Sequence, residues 1–502
     1  MIGRGSVALS AVAAMLAVAA GCSGHGLASP SDGGASEGGE DGGEAGVSTL
    51  QALSVSTGTL RPGFDPSTND YDVTSLNSVY PISVTATATD PAASLTIQGN
   101  PAQSGTAATF TLAAKQDISV VVTSPGLAPA TYTVHYVPSD LPPYTVTTSA
   151  SQGTEPVLVE PNGDYAMIID RSGAPIYYRT WLPNQADDFQ QSILPSGAVV
   201  YSVNVGTFDP NGWNLGVDHV MDDHFNDIAD YQLLPYAQHG LLPGEGHEFV
   251  MLDDQHFIAI SYVQRTLDLS GINPAWSKQA VIMSNLFQEI DHGTVLVEWD
   301  SANVTSLYAD SFYENQYADP QSASNIQDYC HLNSIDIDPS DGNFIVSFRH
   351  TSSIVKMDRH TAQILWTMGG REDQYGLTGD QVFSFQHHVR MHPDGSMTIF
   401  DNGSGPEATH TTRALQLTLD QVNHKVTSFN VLYTKPTSEP ETTYMGSIVP
   451  LSGGRLFLGW GGWYTPGLAP AATEIVGGMP VWTLELQTPG YFSYRALPIS
   501  PL

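Results

Sequence analysis

Three histidines in the second half of the chain stand in matching surroundings. His387 lies in Phe383 to Gly403, FSFQHHVRMHPDGSMTIFDNG, where the turn Pro393-Asp394-Gly395 separates two β-type runs. His331 opens HLNSIDIDPSDGNFIVSFRH and His247 opens HEFVMLDDQHFIAIS, each with the same layout. Arg349 closes the run that follows His331, and Asp401-Asn402 closes the one that follows His387. An imidazole can donate, accept or attack, and a guanidinium offers forked donors. His247, His331, His387 and Arg349 together suit an anion with several oxygens.

Fourteen of the sixteen histidines fall between His219 and His424, so each needs weighing against a structural role. A single histidine in a β protein is more often a hydrogen-bonding side chain than a catalyst. The shared repeat position lifts the three above that. His388 takes the place of His387 if the register slips by one. His350 and His392 neighbour better candidates, and strand alternation sends them to the opposite face. His219, His224, His239 and His256 lack repeat equivalents and are expected in loops or at the surface. Trp366, Trp460 and Trp463 are read as packing. Clustered imidazoles can also hold Zn²⁺ or Cu²⁺. No HExxH spacing occurs, however, and an arginine among the ligands repels a cation. No metal and no cofactor is therefore assigned. A nucleotide donor has no GxxxxGK[ST] cradle.

The elements that would position these groups are short strands. The 502 residues include 47 Gly and 33 Pro, and β-type runs recur between turns, which points to an all-β chain of more than one domain. Pro/Gly/Asp turns near Pro195, Asp253, Pro339, Pro393 and Pro450 mostly lie about 55 residues apart. A second set of turns alternates with them, at Asp170-Arg171-Ser172-Gly173, Asp291-His292-Gly293 and Asp358-Arg359-His360-Thr361. Such a period suits four-stranded units, and residues 144–502 have room for about six, the pattern of a six-bladed β-propeller. The wider gap between the second and third turns predicts an insertion within 262–328. In this fold the strand before each Pro/Gly turn is innermost, so the three histidines line the channel.

Residues 49–138 alternate with period two, as in Ile82 to Thr87 and Ile118 to Val122, and predict a small β-sandwich. Leu53 to Leu60, Phe64-Asp65-Pro66, Tyr71 and Ala130 to Val134 resemble the bacterial cadherin-like β-sandwich family, whose modules serve as spacers or adhesion units. Residues 22–48 are Gly, Ser, Ala and acidic residues and read as a tether. Residues 1–21 read as an export signal, with Arg4 followed by an apolar run from Val7 to Ala20. Ala19-Ala20-Gly21-Cys22 resembles the bacterial lipoprotein cleavage box. That implies lipid on Cys22 and a membrane anchor, with the outer membrane expected because Ser23 follows. The balance of 51 Asp+Glu against 17 Lys+Arg gives a net charge of −34, which argues against nucleic acid as a partner.

Residues 150 to 480 resemble the bacterial arylsulfotransferase family of the aryl-sulfate-dependent type. The likeness is carried by Asp328-Tyr329-Cys330-His331-Leu332-Asn333-Ser334, Val346 to His350 with Val355 to Arg359, Ile364 to Gly370, and Gln386-His387 through Asp401-Asn402-Gly403. The resemblance implies a six-bladed propeller. It also implies ping-pong transfer of a sulfuryl group from an aryl sulfate to a phenol through a sulfohistidine. It makes His387 the nucleophile, with His331, Arg349 and His247 assisting; Gly246-His247-Glu248-Phe249 carries the match at His247. Two other classes stay open: a non-catalytic binding propeller at the cell surface, and a hydrolase or lyase using the same pocket. A binding propeller has no need of the full His/His/Arg/His set, and a hydrolase has no need of added phenol.

Overall fold

The computed structural model describes residues 46–500 except 57–59, 61–62, 75–79, 113–116, 138–140, 151–152, 172, 174, 238, 313–316, 319–325, 407, 440 and 463–467. The expected signal, tether and Cys22, and also Trp463, lie outside the described residues. No helix among the described residues is long and apolar enough to cross a membrane.

Residues 50–137 form two facing sheets. One pairs Leu50–Val55, Tyr80–Ala88 and Ala107–Leu112. The other orders Asp70–Thr74, Ala130–Val137, Asp117–Thr123, Ser94–Ile97 and Asn100–Ala102. Alternate residues point inward, so Val84, Ala86, Ile118, Val120, Val122 and Tyr132 fill the space between the sheets. The Tyr132 and Tyr71 hydroxyls reach the carbonyls of Pro66 and Asp65 at 2.8 and 2.7 Å, which ties the connecting loop to the core.

The rest of the described chain forms six sheets in succession, each built on an antiparallel meander of four strands, with the two-residue strand Gly244–Glu245 added to the third strand of sheet 2. In sheets 2 to 5 the first strands are Gln185–Ile193, Phe249–Asp253, Leu332–Ile337 and His387–Met391. Sheet 6 begins with Ser447–Leu451 and carries Tyr144–Thr148 as a fifth, outer strand. Sheet 1 takes its first strand from the far end of the chain: Ala496–Pro498 pairs with Val157–Val159. The ring is thus closed by joining the two ends of the domain in one sheet, which leaves no open edge between first and last units. Each Pro/Gly turn connects first to second strands, and the alternate turns connect third to fourth, for example Ala280–Asp291 to Thr294–Asp300. The extra length in 262–328 is spread over a long second and third strand in sheet 3 and a connector containing the short helix Thr305–Asp310.

The first strands meet around one side chain, Arg495. It is 2 % exposed. Its guanidinium pairs with Asp188 of sheet 2 and with Glu248 at the entry to sheet 3, at 3.0 Å for the latter, and donates to the His247 carbonyl at 2.9 Å. Arg390 from sheet 5 reaches the same Glu248 at 2.8 Å. A buried ionic cluster of Arg495, Asp188, Glu248 and Arg390 therefore links sheets 2, 3 and 5 and holds the segment that presents His247.

Candidate active site

His247 and His331 meet directly, Nε2 to Nε2 at 3.0 Å. Both precede or open a first strand, so the ring geometry that gathers first strands also gathers these side chains. Each imidazole has a carboxylate behind it. Nδ1 of His247 lies 2.7 Å from Glu245 Oε1, and Nδ1 of His331 bonds to Asp328 Oδ2. Two facing Nε2 atoms can share only one proton. Burial opposes charge on His247, but Glu245, Asp328 and Asp187 outweigh it and raise its pKa. Burial, His247 and Arg349 drive the pKa of His331 well below the ordinary value. The pair is then an imidazolium at His247 donating to a neutral imidazole at His331, whose own Nδ1–H goes to Asp328.

His387 occupies the first strand of sheet 5 and is 2 % exposed. Its Nδ1 faces Asn402 Oδ1 at 2.7 Å, and its Nε2 accepts the Met445 N–H at 3.1 Å. An amide oxygen accepts only, so Nδ1 carries the proton and the lone pair lies on Nε2. Burial, then the charge of Arg349, with smaller contributions from His247 and His331, holds His387 well below the usual imidazole range. A buried, neutral imidazole with a fixed tautomer has the protonation state a nucleophile needs, and its Nε2 can attack once the Met445 N–H gives up the lone pair. Asn402 is itself fixed, because its Nδ2 donates to the carbonyls of Thr442 and Met445.

Arg349 follows the second strand of sheet 4. Its Nη2 donates to the Thr443 carbonyl at 3.2 Å, and its Cζ lies 4.5 Å from the centre of the Phe385 ring. The segment Thr442 to Met445 thus touches both Arg349 and His387. The structure gathers all four residues singled out in the sequence, His247, His331, His387 and Arg349. His388 turns elsewhere: its Nδ1 accepts the Ile448 N–H at 3.3 Å, and after burial the charges that bear on it are Arg390, Arg495 and His392. A register irregularity between His387 and Arg390 accompanies this divergence.

His350 corrects the sequence reading. It was expected on the far face, yet its ring lies 4.5 Å from that of His331, and Arg349 Nη1 abuts its Nε2. Alternation governs residues inside a strand, and the strand ends at Phe348. His219 and His256 are also not loop residues. His219 sits in the strand Trp213–Asp222 between Asp227 and Asp230, and His256 opens a strand and meets Glu289 at 2.8 Å. Glu245 and Asp328 were missed; each stands two or three positions before its histidine, a spacing that marks an acid–imidazole pair. Met445 was missed because backbone donors leave no trace in side-chain chemistry. Ligand atoms of Asp328, His331 and His350 lie within 4.8 Å of one another, a grouping able to hold a metal ion. The guanidinium against His350 sets a positive charge beside that position and disfavours a cation there.

The sequence from 190 to 463 matches the family described as arylsulfotransferase, more than half of the chain. The chain belongs to the arylsulfotransferase family. Residues 50–137 match the cadherin-like β-sandwich domain. No curated protein matches the sequence. Among solved structures, a protein of unknown function from Bacteroides caccae aligns with TM-score 0.41 at 11 % identity, covering 70 % of this chain and 100 % of its own. A virginiamycin B lyase from Staphylococcus aureus aligns with TM-score 0.31 at 10 % identity, covering 68 % and 99 %. The buried His/His/Arg/His cluster of this arylsulfotransferase-family chain lies wholly inside the matched region.

Proposed function

We propose that the protein transfers a sulfuryl group from an aryl sulfate ester to a phenol, with His387 as the carrier. The observation that carries this reading is the hydrogen bonding of His387, which puts the proton on Nδ1 against Asn402 and the lone pair on Nε2, where the Met445 N–H meets it, in a ring on which the charge of Arg349 acts. Nε2 attacks sulfur, the S–O bond to the aryl oxygen breaks, and the phenolate leaves with that electron pair. The proton it takes comes from the His247–His331 pair, which holds one acidic proton between two Nε2 atoms. Arg349 stabilises negative charge on the sulfuryl oxygens. In the second half an acceptor phenol returns a proton to the pair while its oxygen attacks sulfur and the N–S bond breaks. One hard transfer becomes two easier ones.

The test is turnover of a chromogenic aryl sulfate with and without added phenol. Acceptor-dependent turnover and parallel lines in a two-substrate plot support a transferase; equal rates without phenol support a hydrolase. With donor alone, mass analysis at neutral or basic pH is expected to find a sulfuryl adduct on the peptide containing His387. The adduct is absent in His387→Ala and discharged by phenol. Arg349→Ala retains the fold and loses most turnover. We also propose that Cys22 carries lipid and anchors the protein to a membrane, for which Cys22→Ala releases it to the soluble fraction.

A further inference from the structure

A second buried polar group lies in sheet 2, beside Glu245 and near enough to His247 for Asp187 and that imidazole to act on each other. Asp187, Asn204 and Asp218 are directly opposite one another on three adjacent strands, Asp187 against Asn204 and Asn204 against Asp218. Directly opposite residues share a face, so the three side chains form one row. All are buried, as is Asn214 four residues before Asp218 on the same strand. Gly244 and Glu245 pair antiparallel with Gly216 and Leu215 of the third strand, and the segment on to Gly246 lies against this row. A Cβ on Gly244 would collide with Asp218 Oδ2. A Cβ on Gly246 would stand 3.1 Å from the Cβ atoms of Asp187 and Asn214 and 3.5 Å from Asn204 Oδ1. The two glycines let the segment close over the row with no side chain intruding.

The donors in the row are already committed. Asn204 Nδ2 donates to Asp218 Oδ1 at 2.9 Å, and Asn214 Nδ2 donates to the Gln185 carbonyl at 3.2 Å while the Asn214 side chain also hydrogen-bonds the Asp187 carboxylate. What remains is oxygen: Asn204 Oδ1, Asn214 Oδ1 and Asp218 Oδ2 are buried without a hydrogen-bond partner. The charged groups bearing on Asp218 are the acids Asp188 and Glu245, and those on Asp187 are His247 and Glu245. Glu245 meets His247 with both oxygens, and its Oε1 also accepts the Asn214 N–H at 3.3 Å. Buried acceptors without a donor are satisfied by a cation or by protons on the acids, and burial raises the pKa of both Asp187 and Asp218, so cation and proton compete for the same oxygens.

We infer that this row binds a hard divalent cation of the calcium class, held by the Asp187 and Asp218 carboxylates and the amide oxygens of Asn204 and Asn214. An all-oxygen set excludes the nitrogen- and sulfur-seeking metals from preference, and two carboxylates balance a double positive charge. Ligands drawn from three strands give irregular spacing, which calcium tolerates and magnesium does not. The inference stands on these oxygens and not on the proposed sulfuryl transfer, and calcium binding is read without turnover, although Asp187 also acts on His247.

The full chain, stripped with a chelator and desalted, is titrated calorimetrically with calcium chloride. Thermal unfolding is followed in parallel with and without calcium. One calcium per chain, a higher unfolding midpoint with calcium, and weaker binding of magnesium are expected. Asp218→Asn loses at least tenfold in affinity and most of the thermal shift. Asp223→Ala, in the exposed Asp222-Asp223-His224 group, keeps both. Asn214→Ala serves as the second variant should Asp218→Asn fail to fold, with the same expected loss of affinity. The inference is overturned if stripped wild-type protein takes up no calcium and its midpoint does not move, the oxygens then being met by protons and water. It is equally overturned if the variants in the row bind as wild type does.

Discussion

The lone pair of His387 Nε2 points at the backbone N–H of Met445, 3.1 Å away, while Asn402 holds the opposite ring nitrogen. The backbone of Met445 has φ 64°, in the left-handed region, followed by Gly446 at φ 108°. A Cβ on Gly446 would strike the Phe400 ring, so this turn depends on glycine. The donor that meets the nucleophile is therefore set by a local backbone shape and not by a side chain.

Asn402 decides which nitrogen of His387 carries the proton, so its removal should act on kcat. Asn402→Ala leaves Nδ1–H without its acceptor and also frees the Thr442 and Met445 carbonyls that Asn402 Nδ2 holds. A wrong or wandering tautomer costs on the order of 10² to 10⁴ in rate. The measurement is kcat for the chromogenic donor alongside circular dichroism. Unchanged kcat in a folded Asn402→Ala protein removes the tautomer argument.

Glu245 is expected to set the alkaline limb of the pH–rate profile. Protonated His247 is the acidic member of its pair, and Glu245 is the carboxylate that most favours that charge. A raised imidazole pKa means the acid is present below it and lost as pH rises through it. Glu245→Gln removes the charge, lowers the pKa of His247 and moves the alkaline limb of kcat/KM to lower pH. An unmoved limb with a reduced plateau would show that Glu245 acts on the fold rather than on the proton.

Much of the propeller was legible in the sequence because each unit repeats its own turn chemistry. Pro393-Asp394-Gly395 and Asp338-Pro339-Ser340-Asp341-Gly342 mark the same hairpin, so the sequence alone puts His387 and His331 at the start of equivalent strands. The buried ionic cluster was not legible. Arg495 lies far along the chain from Asp188 and Glu248, and only ring closure through Ala496–Pro498 brings them together. The row of Asp187, Asn204 and Asp218 was hidden for a related reason. It follows from cross-strand register, and register is a property of pairs of strands that no single run displays. His350 was misplaced because a period-two rule was extended past the end of its strand.

Arg495 should be among the costliest positions to truncate. Arg495→Met leaves Asp188 and Glu248 buried, with Arg390 still reaching Glu248. Stranding one side of a buried ion pair typically costs about 3–5 kcal/mol. Because the partner carboxylates are the source of the cost, Arg495→Met combined with Asp188→Asn should be less destabilised than the sum of the two single variants. Urea unfolding of the four proteins in this cycle measures the difference. Simple additivity would show that the three charges do not act as one group.

Glu160 offers a test of the buried proton inventory by pH alone. Its side chain is sealed between sheets 1 and 2, accepting the Phe189 N–H and lying 2.9 Å from Ser493 Oγ. Ser493 has one hydroxyl proton and also stands against the Arg495 carbonyl, so a proton on Glu160 completes the chain of donors. Burial pushes the Glu160 pKa up to about 8 from 4.5, and Asp187 and Asp188 push in the same direction against the hydrogen bonds from Phe189 and Ser493. The native state keeps this proton across an interval in which the unfolded chain, near 4.5, has lost it. Native protein then binds more protons than unfolded protein, so this group's contribution to stability falls as pH rises between those values, by at most about 1.4 kcal/mol per pH unit. Glu160→Gln is neutral throughout and escapes that loss. Unfolding free energies of wild type and variant, compared at pH 6 and pH 8, should therefore shift in the variant's favour at the higher pH. A difference that stays constant across the interval would mean that Glu160 is ionised in the folded protein.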